Sequence, residues 1–326
     1  MLVEPFSLAG SGLLLVAITL DLLVGDPRWL PHPVVIIGRL ISRLDRAWNH
    51  GSSQARRIRG VLLTALVVLG TYTTAWLALA ALTWLHPWLG MLGEIALLTT
   101  TLAIKGLRDA ALEVARPLAR GDLVTARSRL AMIVGRDTQA LDEGEITRAS
   151  VETVAENTVD GITAPLFWAF IGGAPLALAY KAVNTLDSMV GYLSSRHADF
   201  GYASAKLDDL ANWIPARLTA VCLWLAAWLV PNARVRGALV ATWRDAPRHP
   251  SPNAGWPEAM MAHLLGVQLG GTNHYQGRVS QRATLGTPRE VLSVTHVFRA
   301  IRHMHAGWLA FVLLLAIVAL LWEAIA

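Results

Sequence analysis

Apolar residues gather in runs at residues 7–24, 61–85, 91–107, 162–180, 214–230 and 307–325, separated by segments rich in arginine, proline and glycine. The second and last runs have about the 20 residues that a helix rising ~1.5 Å per residue needs to cross a hydrocarbon layer. Only His86-Pro87-Trp88 separates the second run from the third, which predicts a helical hairpin. Trp84, Trp88, Trp213, Trp308 and Trp322 sit at run ends, where amphipathic rings favour the membrane interface. The first run has Glu4 rather than basic residues before it, and no small-residue cleavage site after it. It therefore reads as a retained span or membrane-edge helix, not a removable leader. The fourth run is interrupted by Pro165 and by Gly172-Gly173-Ala174-Pro175. Two readings stand there: half-helices forming a re-entrant hairpin, or one kinked span. No repeat or linker is visible. The expected fold class is all-α: a multi-pass membrane helical bundle, one integral membrane domain over residues 1–326, with polar helices and loops facing the cytoplasm.

Composition supports the membrane reading. Charged residues make up 16% of the chain and hydrophobic ones 54%, whereas soluble domains carry about 25% charged residues. The net charge of +5 does not indicate nucleic acid, because the arginines fall in loops between apolar runs. Those at 28–59, 108–148 and 234–289 mark cytoplasmic segments of a cell-membrane protein, and the turn at 86–88 carries none. Cys222 is the only cysteine, so no intramolecular disulfide forms.

Polar residues collect at the run ends. Residues 25–33 hold Asp26 and His32 in a loop stiffened by three prolines, suited to presenting a carboxylate and an imidazole to a ligand, or else simply a rigid turn. On a helix, Glu152, Glu156 and Asp160 share a face and repel one another. A divalent cation would offset that repulsion, as would nearby arginines on a solvated acidic face. Lys181, Asn184 and Ser188 align on a helix with Asp187 beside them. Lysine is rare here, occurring only at 105, 181 and 206, so Lys181 is a candidate phosphate ligand, or a lysine snorkelling from a helix end. Asp208 and Asp209 both lie within reach of Asn212, although an acidic first turn also suits a helix dipole. Arg244, His249 and Asn253 lie in Gly- and Pro-shaped loops that continue to residues 269–277 and suit a large anionic ligand. There is no phosphate-binding G-x-x-x-x-G-K-[ST] loop, dinucleotide fingerprint or H-E-x-x-H zinc helix.

Taken together, residues 25–34 (GDPRWLPHPV), 152–161 (ETVAENTVDG), 180–192 (YKAVNTLDSMVGY), 206–217 (KLDDLANWIPAR) and 249–258 (HPSPNAGWPE) closely resemble the cobinamide-phosphate synthase family, in its order and spacing, across about residues 12–320. The resemblance implies ATP-dependent amide formation between adenosylcobyric acid, a corrinoid, and (R)-1-amino-2-propanol or its O-phosphate. It implies ATP and Mg²⁺, with Glu152, Glu156, Asp160, Asp208 and Asp209 as metal candidates. Lys181, His32 and Asp187 become catalytic candidates, the first toward phosphate and the others as proton acceptors. Asp26, Arg136, Asn157, Asn184, Ser188, Asn212, Arg217, Arg244, His249 and Asn253 become substrate-binding candidates. Membrane lipids are expected partners; later enzymes of nucleotide-loop assembly and a homo-oligomer are left open. Two rivals remain. One is a non-catalytic inner-membrane regulator of the β-lactamase-induction type, which needs no such density of acidic motifs. The other is a solute transporter, which would place more polar groups at mid-membrane.

Overall fold

The computed structural model describes residues 6–25, 32–192, 194–275 and 277–325. In chain order they form α1 (Leu8–Val24), α2 (Pro33–Trp48), α3 (Ser53–Leu85), α4 (Pro87–Thr99), α5 (Ile104–Leu118), α6 (Leu123–Leu130) and α7 (Glu143–Thr158). A π-helical turn (Val159–Thr163) then leads into α8 (Ala164–Val190), α9 (Tyr202–Ala211), α10 (Trp213–Ala227), α11 (Ala238–Asp245), a 3-10 turn (Ala246–Arg248) and α12 (Gly255–Leu265). Strands β1 (Leu269–Tyr275) and β2 (Arg278–Leu285) precede α13 (Thr295–Ile325). The protein is an all-α membrane bundle; among the described residues four helical stretches are long and apolar enough to span a bilayer, or five if the bent pair α9–α10 is one span.

Burial separates these spans. Only 17% of the apolar window of α3 and 22% of that of α13 is buried, against 72% for the run Glu143–Val190. Exposed Leu62, Leu66, Leu69 and Leu77 on α3, and Leu309, Leu313 and Leu320 on α13, therefore need lipid as their solvent.

By packing, the chain divides into two compact units that interleave along the sequence: Met1–Ile104 with Ala164–Asn212 and Leu314–Ala326, and Lys105–Thr163 with Trp213–Leu313. In the first unit, Ile37 and Ile41 of α2, Leu63 and Val67 of α3, Leu186 and Val190 of α8, and Phe200 form a core. Gly60 lets α3 pass beneath the Phe200 carbonyl, where a Cβ would collide. The His86 imidazole accepts from the Trp88 amide at 3.2 Å and caps α4, with Pro87 in the first helical position, so a single residue turns the α3–α4 hairpin. Helix α8 is broken where the sequence predicted, at Gly172 (φ −148°, ψ 25°) and Gly173 (φ 66°, ψ −163°).

The second unit is built around α12, where Trp256, Glu258, Met260 and Met261 are all buried, packed against α7, α10 and α11. A further core joins Val114, Leu118, Ala126, Leu130, Ile146 and Ala149. A reciprocal capping box between Asp142 and Glu145 starts α7. Within residues 269–277, read from the sequence as a shaped loop, Leu269–Tyr275 instead forms a strand paired antiparallel with Arg278–Leu285. Glycine at 270 and 271, both at positive φ, and a register irregularity there concealed the strand pattern.

Candidate functional site

Helices α8 and α9 assemble an acidic, amide-rich cluster in the first unit. Along α8, Lys181, Asn184 and Asp187 are half-buried and Ser188 exposed, while the intervening Ala182, Val183, Thr185 and Leu186 are buried, so the predicted polar face exists. The Ser188 hydroxyl itself donates back to the Thr185 carbonyl at 3.0 Å. Asn212, at the end of α9, is almost fully buried. Its Nδ2 donates to Asp208 Oδ2 at 3.1 Å, and its Oδ1 accepts from the Tyr180 hydroxyl at 2.9 Å. Asn184 also hydrogen-bonds the Asp208 carboxylate, and Asp187 lies close enough to repel it. Among the described residues, Asp208 Oδ1 is buried without a hydrogen-bond partner. Asp209 turns outward to Lys206 at 2.8 Å. Two motifs far apart in sequence, 180–192 and 206–217, thus supply facing parts of one cluster. His32 belongs to the same unit, where its Nδ1 accepts from the Val34 amide at 3.3 Å and caps α2. Asp26 lies outside the described residues.

The second unit carries a different cluster. Arg136 forms a buried ion pair with Glu152 and donates to Asn273 Oδ1 at 2.8 Å. The other oxygen of Glu152 accepts from the Gly270 amide at 2.8 Å, and Arg148 donates to the Gly270 and Thr272 carbonyls. Glu152 is therefore committed to an arginine and to the β-hairpin, as on the arginine-paired reading of that acidic face. The shared face of Glu152, Glu156 and Asp160 is only partly realised. Glu156 is exposed, and Asp160 falls in the π turn, which shifts it out of α-helical phase. Asn157 donates to the Thr153 carbonyl at 2.9 Å. Among the described residues, no three His, Cys, Asp or Glu side chains converge as a ready-made metal centre.

Arg217 lies over the rings of Trp213 and Trp256, at 4.3 and 4.7 Å from their centroids, and donates to Asn253 Oδ1 at 3.3 Å. The guanidinium is thus held by cation–π contact with two indoles. His249 Nδ1 accepts from the Ser251 amide at 3.0 Å, and its Nε2 stands 3.8 Å from Glu258. Burial lowers the pKa of His249, and Arg282 adds to that effect. Burial raises the Glu258 carboxyl well above its ordinary range, reinforced by Glu152 and Glu156 and only partly opposed by Arg282 and Arg136. Both shifts favour the uncharged forms, which weakens ion pairing between the two groups. Among the described residues, His249 Nε2 and Asn273 Nδ2 are buried without hydrogen-bond partners, which leaves this cluster with polar atoms for a ligand to satisfy. Arg244 is instead an exposed residue paired with Asp245 at 2.9 Å.

Three residues of this cluster were not singled out from sequence. Glu258 and Asn273 stood inside motifs that were noticed, but nothing local marked their side chains as buried. His263, which meets Asp245 at 3.0 Å, carried no signal.

Comparison with known proteins gives a consistent result. The family model described as "CobD/Cbib protein" matches residues 14–304. The chain is 52% identical over 303 residues to the cobalamin biosynthesis protein CobD of Halalkalibacterium halodurans, covering 92% of this chain and 94% of that one. It is 50% identical over 307 residues to CobD of Geobacter metallireducens, covering 94% and 96%. It is 48% identical over 305 residues to the cobalamin biosynthesis protein CbiB of Salmonella typhimurium, covering 93% and 94%. No solved structure matches the chain.

Proposed function

The chain belongs to the CobD/Cbib family, and from that premise we propose that it serves cobalamin biosynthesis as an ATP-dependent amide-forming enzyme of the cell membrane, its polar loops facing the cytoplasm. The substrates are adenosylcobyric acid and (R)-1-amino-2-propanol or its O-phosphate. The observation that carries this reading is Asp208: a carboxylate gripped by two amides, repelled by Asp187, with one buried oxygen unsatisfied. Such a group stabilises a cation arriving with the substrates.

The reaction has two steps. A substrate carboxylate oxygen takes the γ-phosphoryl group of ATP, releasing ADP and leaving an acyl phosphate. The amine nitrogen then attacks the acyl carbon, phosphate departs, and the nitrogen's proton passes to a base. Asp187 is the candidate base in the acidic cluster, with His32 Nε2 as the other. Magnesium, when bound, neutralises phosphate charge. Mg²⁺ commonly takes one or two carboxylates and completes its shell with water and phosphate oxygens. Asp208 with Asp209, which would have to release Lys206, fits that donor set without a preformed three-carboxylate centre, whereas Glu152 as found does not. Glu156 and Asp160, in the second unit, are not needed for that set. Lys181, a point charge on a flexible stem, is the first unit's candidate for phosphate contact; in the second unit the stacked Arg217 is a separate anion-binding candidate, as a guanidinium fork. In the second unit, His249 and Asn253 are candidate donors for the polar periphery of a large anionic corrinoid, with Arg136 holding Glu152 behind them.

The test is mass spectrometry of detergent-purified protein incubated with adenosylcobyric acid, Mg-ATP and each amine. An ATP-dependent mass gain equal to the amine minus water is expected. Folded protein that yields no product with either amine refutes the reading.

A further inference from the structure

Away from both polar clusters, the first unit contains a cavity of about 300 Å³ between α3, α4 and the break in α8. Tyr72, Trp76 and Trp84 line one side, and Glu94, Gly172 and Gly173 the other. Glu94 is only 3% exposed, and Oε1 accepts from the Ala174 amide at 2.6 Å. The positive φ of Gly173 makes this approach possible, since a Cβ there would sit 2.6 Å from the same oxygen. Among the described residues Glu94 has no ion pair and no second side-chain hydrogen bond, so one amide serves a carboxylate with capacity for about four. A buried carboxylate needs a cation or further donors.

The surroundings narrow what can enter. Trp76, Leu77, Trp84 and Trp88 are exposed on the hairpin, so the mouth opens among apolar side chains rather than polar loops. Trp84 and Trp88 bracket the hairpin turn, and indoles at span ends settle at headgroup depth. Aromatic faces beside a carboxylate form a site for an organic ammonium, through cation–π contact and charge-assisted N–H donation together. We propose that this cavity binds the primary-ammonium headgroup of an aminophospholipid, with the ammonium on Glu94 and the acyl chains along the apolar face of α3. Phosphatidylglycerol brings no cation to the carboxylate. Phosphatidylcholine brings a cation that has no N–H to donate.

Native mass spectrometry of the full chain released from mixed phosphatidylethanolamine, phosphatidylglycerol and phosphatidylcholine micelles tests this. Quenching of tryptophan fluorescence by brominated phosphatidylethanolamine supplies a second readout. The wild-type chain should retain phosphatidylethanolamine about tenfold over either other lipid, a difference of about 1.4 kcal/mol. Glu94→Gln keeps an acceptor for the Ala174 amide and should abolish the preference. Ala80→Trp fills the cavity with Glu94 intact and should do the same, which decides the matter if the first variant folds poorly. Equal retention of the lipids by the wild-type chain overturns the proposal, as does a preference that survives both substitutions. Displacement of the lipid by free ethanolamine at equal concentration overturns the lipid as its source.

Discussion

The two polar clusters hold their carboxylates by opposite means. In the second unit Glu152 is paired with Arg136 and receives the Gly270 amide. Its charge is balanced internally, and it fastens the β-hairpin to α7. In the first unit Asp208 is held by the amides of Asn184 and Asn212, with Asp187 as a repelling neighbour. Amides orient a carboxylate without cancelling its charge. A buried pair balanced by arginine contributes to structure, and breaking one side of it is costly. A carboxylate held by amides and left short of donors adds little to stability, and is poised for a cation from outside.

This contrast can be broken most severely at Glu152. Glu152→Gln strands Arg136 in a buried site and should destabilise the protein by about 3–5 kcal/mol, read as a fall in thermal midpoint in detergent. Adding Arg136→Met to that variant should recover much of the loss, because the stranded charge is then gone. Asp208→Asn should behave in the opposite way. Folding should be unchanged or slightly improved, and amide-forming turnover should fall by about a hundredfold, equivalent to about 2.7 kcal/mol of barrier. A variant with intact turnover would move the chemistry away from the acidic cluster.

Smaller effects come from titration. Glu258 has a folded-state pKa well above its ordinary 4.5. The folded state therefore binds the extra proton, and stability falls as pH rises above about 4.5 toward the folded value. Glu258→Gln, a mimic of the protonated acid, should flatten that decline in a pH series of thermal melts while leaving the acidic-side midpoint nearly unchanged. Glu290 runs the other way. It is hydrogen-bonded by Arg234, Arg299 and His296; burial alone would raise its pKa, yet these partners hold it down at about 2. Its contribution is complete above about 4.5 and is lost as pH falls toward 2. Because the group is partly exposed and screened, Glu290→Gln should lower the midpoint at neutral pH by only a degree or two, a loss of a few tenths of a kcal/mol, and the gap should close in acid.

Much of the candidate site was legible because helical spacing is arithmetic. Asn184 and Asp187 come to one face of α8, and Asp208 reaches Asn212 one turn along α9, as their positions require. The break at Gly172-Gly173 was readable for the same reason: glycine and proline act locally. The phase of Asp160 was not readable. A π turn inserts one extra residue per turn, and nothing in the Val159–Thr163 sequence announces it. The β-hairpin was hidden by its glycines, and Glu258 by its place in an apolar helix whose burial depends on α7, α10 and α11.

By itself, the order of residues determined that this chain is a membrane-embedded bundle of helices, where many of its turns fall, and which family its polar motifs resemble. Those properties follow from hydropathy, helical period and the local demands of proline and glycine, each acting within a few residues. Tertiary structure alone decided that Glu152 is paired with an arginine while Asp208 is held by amides, that burial favours the protonated form of Glu258, and that Glu94 faces a cavity. Charge balance and burial are set by neighbours that can be more than a hundred residues away, such as Gly270 against Glu152, and no local spacing encodes that distance.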